Sequence, residues 1–298
     1  MKTGRQWMVT HEWMVKGNRQ TEWIEKKGML IWLAFYFGGL GGGLYLVSLF
    51  FNNLWGMLLG FLLAAVLKGL LNLADLGRPA RFWRVIVNFK TSWLSRGLVT
   101  MITFTGVSFI QIAASYLFPD QSVLLLLLRV SSGILAVGVI AYAGFILTSM
   151  KGIPFWNLVF LPVVFVTLGV LGGLGLLIII LSSSQTADVS AIVIVNLGFL
   201  ISNLVLLLIY LLFAVEEKAG RLAVLYQIKG TLAMTFWGAV ALSGIALAVN
   251  LLYINLRIPG IVLVGGMAGE ILSCLLMTYC ALKSAHYTPI KQQIETEN

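Results

Sequence analysis

Lys68, Asn72 and Asp75 stand four and three residues apart in an otherwise apolar stretch. On a helix they share one face, and Lys68 is about 10 Å from Asp75 along the axis. Ionisable groups at membrane depth are costly, so each is a functional candidate. A carboxylate at the end of such a stripe can relay protons between water and a buried reactant. Lys68 and Asp75 are therefore the candidate catalytic pair, with Asn72 as a polar contact between them. The structural alternative is a lysine that snorkels to the interface and pairs with the acid.

A second pair is Arg129, early in one apolar segment, and Glu270, in the middle of another. A carboxylate buried in lipid is neutral or paired, and Arg129 is the intramembrane cation from the outer half that could pair with it. The two are candidates for a structural ion pair or for part of a proton path. Asn196 and Asn203, seven apart, and Gln111 read as hydrogen-bonding groups between helices.

The elements that must hold these residues follow from composition. The chain has 298 residues, 59% hydrophobic and 10% charged. A soluble domain would carry about 25% charged residues. Apolar runs reach the ~20 residues that span a bilayer. The fold class is an all-α integral membrane protein with eight spans, at 29–51, 54–75, 96–118, 122–149, 154–181, 188–215, 230–253 and 258–283. A polar tail (1–28) and a C-terminal tail (284–298) flank the 29–283 membrane domain. Helices follow because lipid cannot satisfy free backbone groups. No cleavable signal peptide is evident, and the first span serves as the insertion signal. Glycines cluster in spans one (Gly38 to Gly43), five (Gly169 to Gly175) and eight (Gly265 to Gly269). They suit close helix packing or a smooth groove for a flat ligand, and their recurrence in spans one and five hints at two four-helix bundles.

Seventeen of the 20 Lys and Arg lie on the side of the N-terminus, Arg257 alone lies opposite, and Lys68 and Arg129 lie within spans. The positive-inside rule places both termini in the cytoplasm. The net charge of +9 reads as orientation and contact with anionic lipid, not nucleic-acid binding. His11 and His286 are the only histidines and both lie in the tails. No pair of spans can offer bis-His ligation of haem. Cys274 and Cys280 match no metal or disulfide spacing. The protein is read as holding no metal of its own.

The connection 73–97 carries LADLGRPARFW and TSWLSRG. Gly77 suits a helix end and Pro79 stops the helix. Arg78, Arg81 and Arg84, with Phe82 and Trp83, suggest a short amphipathic interfacial helix, and Thr91 or Ser92 can cap the third span. Arg81, Trp83 and Arg84 also suit docking of a partner protein, since Arg and Trp are enriched at binding hot spots.

These motifs, with GGLGGGLY at 38–45, resemble the NrfD/PsrC family, the membrane subunits of polysulfide reductase-like complexes. The resemblance is strong over residues 28–100 and rests on helix count and length beyond. It implies a haem-free subunit that binds an exchangeable quinone, menaquinone above all. It implies docking of a ferredoxin-like iron–sulfur subunit, in some relatives with a molybdopterin catalytic subunit. The family's quinone site carries over onto Asp75, Arg78, Pro79, Arg81, Trp93 and Arg96; Asn72 joins it from the polar stripe. Some relatives have a histidine at the start of span one, where this sequence has none. Well-known relatives place this face outside the cytoplasm, whereas the charge count here places it inside. The sequence thus reads as a quinone-binding membrane subunit of a respiratory oxidoreductase in the cytoplasmic membrane. A secondary transporter using Lys68, Asp75, Arg129 and Glu270 is the alternative, and a structural anchor for a soluble enzyme a third reading.

Overall fold

The computed structural model describes Ile24, residues 28–76, Val85, Lys90 and residues 92–118, 122–153, 155–182, 189–216 and 218–284. Eight of its helices are long and apolar enough to cross a membrane. They are α1 (Gly28–Phe50), α2 (Leu54–Asp75), α3 (Trp93–Leu117), α4 (Ser122–Thr148), α5 (Leu161–Ser182), α6 (Ser190–Ala214), α8 (Ala233–Leu256) and α9 (Gly260–Lys283). The protein is a multi-pass membrane protein, as its composition predicts. A shorter helix, α7 (Lys218–Ile228), lies between α6 and α8, a segment the hydropathy does not mark.

α1 and α5 are the central helices: 61% and 72% of their apolar stretches are buried in protein, against 28% to 39% in the other six. Lipid is as apolar as leucine, so helices associate by close packing. Glycine provides it here. A side chain on Gly43 would overlap the Gly169 carbonyl, and one on Gly173 would overlap the backbone of Gly43 and Leu44. The glycines of spans one and five are therefore a backbone-to-backbone seam. Around it, α1 packs on α2 and α4, and α3 on α4; α5 packs on α4, α6 and α9, and α8 packs on α6 and α9.

Span five begins at Leu161, later than the expected residue 154. Phe155 and Trp156 are apolar enough to count toward a span, yet they are buried in protein. The Trp156 indole donates to the Ala281 carbonyl at 2.8 Å, and the Tyr210 hydroxyl donates to the Phe155 carbonyl. Pro162 sits in the first turn of α5, where its missing N–H costs nothing. α2 holds the other surprise: Leu62–Leu67 is a π-helical turn, directly before Lys68.

Candidate functional site

Where α2 ends and α3 begins, four spans enclose a cavity of about 400 Å³. α2 contributes Gly69, Asn72, Leu73, Asp75 and Leu76, α3 contributes Leu94, Gly97 and Met101, α1 contributes Phe35 and α4 contributes Tyr142. The wall is apolar with a few polar groups, the usual constitution of a site for an organic ligand. These are Asn72 and Asp75 at one end, Tyr142, and Thr105, whose hydroxyl donates to the Met101 carbonyl of its own helix. Leu73, Leu76, Leu94 and Ile102 line it and are also exposed on the outer surface. The cavity thus borders the lipid-facing side between α2 and α3.

Asn72 and Asp75 lie on this wall, both half-buried. Lys68 does not share it. It is 2% exposed, so it does not snorkel, and its ammonium reaches the Val139 carbonyl at 3.5 Å and the Tyr142 ring, 5.0 Å from the centroid. Gly38 makes the room, since a Cβ there would lie 2.6 Å from the lysine Cδ and 2.7 Å from its Nζ. The wide turn at Leu62–Leu67 immediately precedes the lysine; such π turns recur at functional sites.

Tyr142 has no counterpart among the sequence candidates. Its ring stands edge-on to Phe35 at 6.3 Å and against Gly97, where any side chain would overlap it. A tyrosine and a glycine inside apolar spans carry no signal of their own; the crossing of α3 and α4 brings them together.

Trp93 and Arg96 do not line the cavity. The Trp93 ring stacks on Phe145 at 4.8 Å with 2° between planes, and the Arg96 guanidinium covers the same indole at 4.8 Å. Arg96 also donates to the Lys90 carbonyl at 2.7 Å. This stack stands beside the cavity, because their neighbours Leu94 and Gly97 line it. Ser92 occupies the N-cap position of α3 without a side-chain cap bond. The Ser95 hydroxyl donates to the Val85 carbonyl at 2.5 Å, and Val85 lines the cavity, so the connection is tied to the site. Arg78, Pro79, Arg81, Trp83 and Arg84 lie outside the described residues.

Arg129 and Glu270 do not form the ion pair that the sequence suggests. Arg129 donates to the Asn52 side chain at 2.7 Å, at the turn between α1 and α2. Glu270 accepts instead from Asn196 at 3.0 Å. Register between distant spans decides this, and hydropathy does not contain it. The interhelical roles read for Gln111 and Asn203 are seen: Tyr45 donates to Gln111 at 2.9 Å, and Thr167 donates to Asn203 at 3.2 Å. Cys274 and Cys280 are free and buried. Among the described residues no cluster of metal-ligating side chains occurs.

Chemically, the cavity can hold a flat apolar molecule with its polar end toward Asn72 and Asp75. Asp75 can exchange protons there, Asn72 can donate and accept hydrogen bonds, and Tyr142 closes the inner wall with a cation behind it.

The comparisons with known proteins bear on the same residues. The family described as "Polysulphide reductase, NrfD" matches residues 23–279. The protein is also 26% identical over 213 residues to the C subunit of polysulfide reductase from Wolinella succinogenes. That stretch covers 64% of the sequence and 66% of the relative, just short of two thirds of its length. The family match embraces all eight spans almost to the end of α9, and on that extent the protein belongs to the NrfD family.

Proposed function

We propose that this protein is the quinone-binding membrane subunit of a respiratory oxidoreductase complex. In it, electrons pass between a quinone of the menaquinone type and an iron–sulfur partner subunit. The observation that carries this reading is the cavity of about 400 Å³ with Asn72, Asp75, Tyr142 and Thr105 in a largely apolar wall. Its size lies in the usual range for sites of small organic ligands, and its border with lipid suits a ligand that diffuses in the bilayer. Membership of the NrfD family and the name of the relative, one subunit of polysulfide reductase, support a role inside a multi-subunit complex.

A quinone takes up two electrons with two protons. Asp75, at the end of α2, exchanges the proton between the head group and water. Asn72 orients the head, and Tyr142 bounds it on the inner side. The exposed leucines between α2 and α3 leave a way for an isoprenoid tail into the bilayer. The partner, a ferredoxin-like subunit with a molybdopterin catalytic subunit behind it, docks over the 73–97 connection through Arg81, Trp83 and Arg84. Arg78 and Arg96 complete the polar border. The site faces the cytoplasm of a cell-membrane protein, on the strength of the 17-to-1 distribution of Lys and Arg between the two sides.

A photoreactive menaquinone analogue tests the assignment on the purified protein. Labelling should saturate, should be displaced by unmodified menaquinone, and should map to peptides holding residues 69–76 and 94–105. Labelling confined to other spans, or not displaced by menaquinone, refutes it.

A further inference from the structure

Glu270 takes no part in the cavity described above. It is fully buried on α9, ten residues beyond Gly260, about 15 Å into the helix. One carboxyl oxygen accepts from the Asn196 amide at 3.0 Å. The other, Oε1, has no partner. It faces the bare backbone of Gly175 on α5, where a Cβ would stand 3.0 Å away.

The surrounding polar groups are also incomplete. The Asn196 Nδ2 lies 3.3 Å from the Met267 sulfur, while its Oδ1 is unpartnered. Asn250 on α8 is fully buried, with both its oxygen and its nitrogen unpartnered. Arg257 at the end of α8 bonds Ser190 at the start of α6, so these helices run antiparallel with 257 beside 190. Counting seven residues inward along each puts Asn250 level with residue 197, next to Asn196. Asn250 and Asn196 thus stand at one height, Asn196 bonds Glu270, and among the described residues four polar atoms of these three side chains are open.

The charges facing Glu270 are few. Gly175 faces it from α5, Asn196 from α6, and Met267, Ser273 and Cys274 flank it on α9. From α8, Ser243 bonds Ser273 at 2.7 Å. From α1, the Tyr36 hydroxyl donates to the Ile271 carbonyl at 3.1 Å. Cys274 and Tyr36 are the titratable neighbours, and no described lysine, arginine or histidine supports the carboxyl. A buried carboxylate without a cation is strongly disfavoured, so the site takes up either a metal cation or a proton. The open atoms decide between them. A metal ion would satisfy oxygens and leave the Asn250 amide nitrogen orphaned. Water accepts and donates, so it can satisfy all four. Exchanging the amide O and N of Asn250 changes nothing, because a donor and an acceptor stay open either way.

We infer that Glu270, Asn196 and Asn250 form a hydrated proton-exchange site within the last four spans, with water and the proton it carries as ligand. Asn196 is six residues inside Ser190 and Asn250 six inside Leu256, about 9 Å from the helix ends at 1.5 Å per residue. Those ends are opposite the one holding the α1–α4 cavity. The site thus exchanges protons with the other face of the membrane, and it stands whether or not that cavity binds quinone.

Infrared spectroscopy of the full-length protein in an ester-free detergent tests this. Among the described acidic residues, Glu270 alone lies deep within a span. A protonated-carboxyl C=O band should be present, lost in Glu270→Gln and kept in Asp75→Asn. It should shift downward on transfer to heavy water. Asn250→Leu, which leaves the carboxyl in place, should delay that shift and carries the test should Glu270→Gln fail to insert. Three results overturn the inference: no such band, as for a carboxylate that binds a metal cation; a band that does not shift in heavy water, as for a dry carboxyl; or a shift equally fast in Asn250→Leu.

Discussion

The ammonium of Lys68 lies 5.0 Å from the centroid of the Tyr142 ring, and Tyr142 lines the cavity while Lys68 does not. Any effect of the lysine on the site must therefore pass through the tyrosine. A desolvated cation–π contact contributes about 2 kcal/mol or more, but burying an ammonium without a carboxylate is costly. Lys68→Met should therefore leave thermal stability unchanged or higher, while binding of a quinone analogue weakens. Thermal unfolding in detergent and a binding titration read the two effects separately. Unchanged affinity would remove Lys68 from the site.

Asp75→Asn keeps the shape of the side chain and removes its proton. Assembly should be normal, and quinone-linked turnover should fall by roughly 10²–10⁴-fold, the usual cost of losing an acid–base group. Turnover at the wild-type level in the assembled complex would exclude Asp75 from proton transfer.

Gly97 touches the Tyr142 ring without a side chain between them. Gly97→Ala must push the ring away. Overpacking of this kind costs about 1–3 kcal/mol, so the melting temperature should fall. Analogue affinity should fall with it, whereas Gly106→Ala on the same helix, with open space at its Cβ, should change neither.

Arg81 and Arg84 belong to the proposed docking surface. Reversing both charges should release the iron–sulfur subunit while all eight spans remain inserted. A contact at the rim would show as weaker, salt-sensitive binding, and a buried one as a loss of about 2–5 kcal/mol. Co-purification at normal stoichiometry in high salt would make the cluster a lipid and orientation signal only.

Orientation has its own check. A reporter that is active only outside the cytoplasm, fused after Asn298, should stay silent. Activity there would place the cavity and its partner on the outer face.

The spans are legible because lipid imposes both length and composition, and only their ends drift. Where Phe155 and Trp156 are buried by protein instead of lipid, hydropathy extends span five too far. α7 escapes notice because its residues Lys218, Arg221 and Gln227 are too polar to read as a span. Asn72 and Asp75 are visible through their spacing on one helical face. The interior position of Lys68 is not, since no residue announces the π turn before it or the space that Gly38 leaves. The partner of Glu270 is hidden for another reason. Both Asn196 and Arg129 are plausible on chemistry, and only the arrangement of helices far apart in the sequence selects the asparagine.

The glycine seam between α1 and α5 has a mechanical consequence. With Gly43 against the Gly169 carbonyl and Gly173 against the Gly43 backbone, the two central helices touch along their main chains. At these glycines no side chain stands between them to absorb sliding. A protein that carries its substrate by alternating access must rock one group of its spans against another, and here motion between α1 and α5 would have to pull apart a backbone-to-backbone contact. The seam instead holds α1 and α5, the two central helices, as one frame. On the proposed function, electrons at the α2–α3 end and protons near Glu270 would pass through a fixed frame by short local hops.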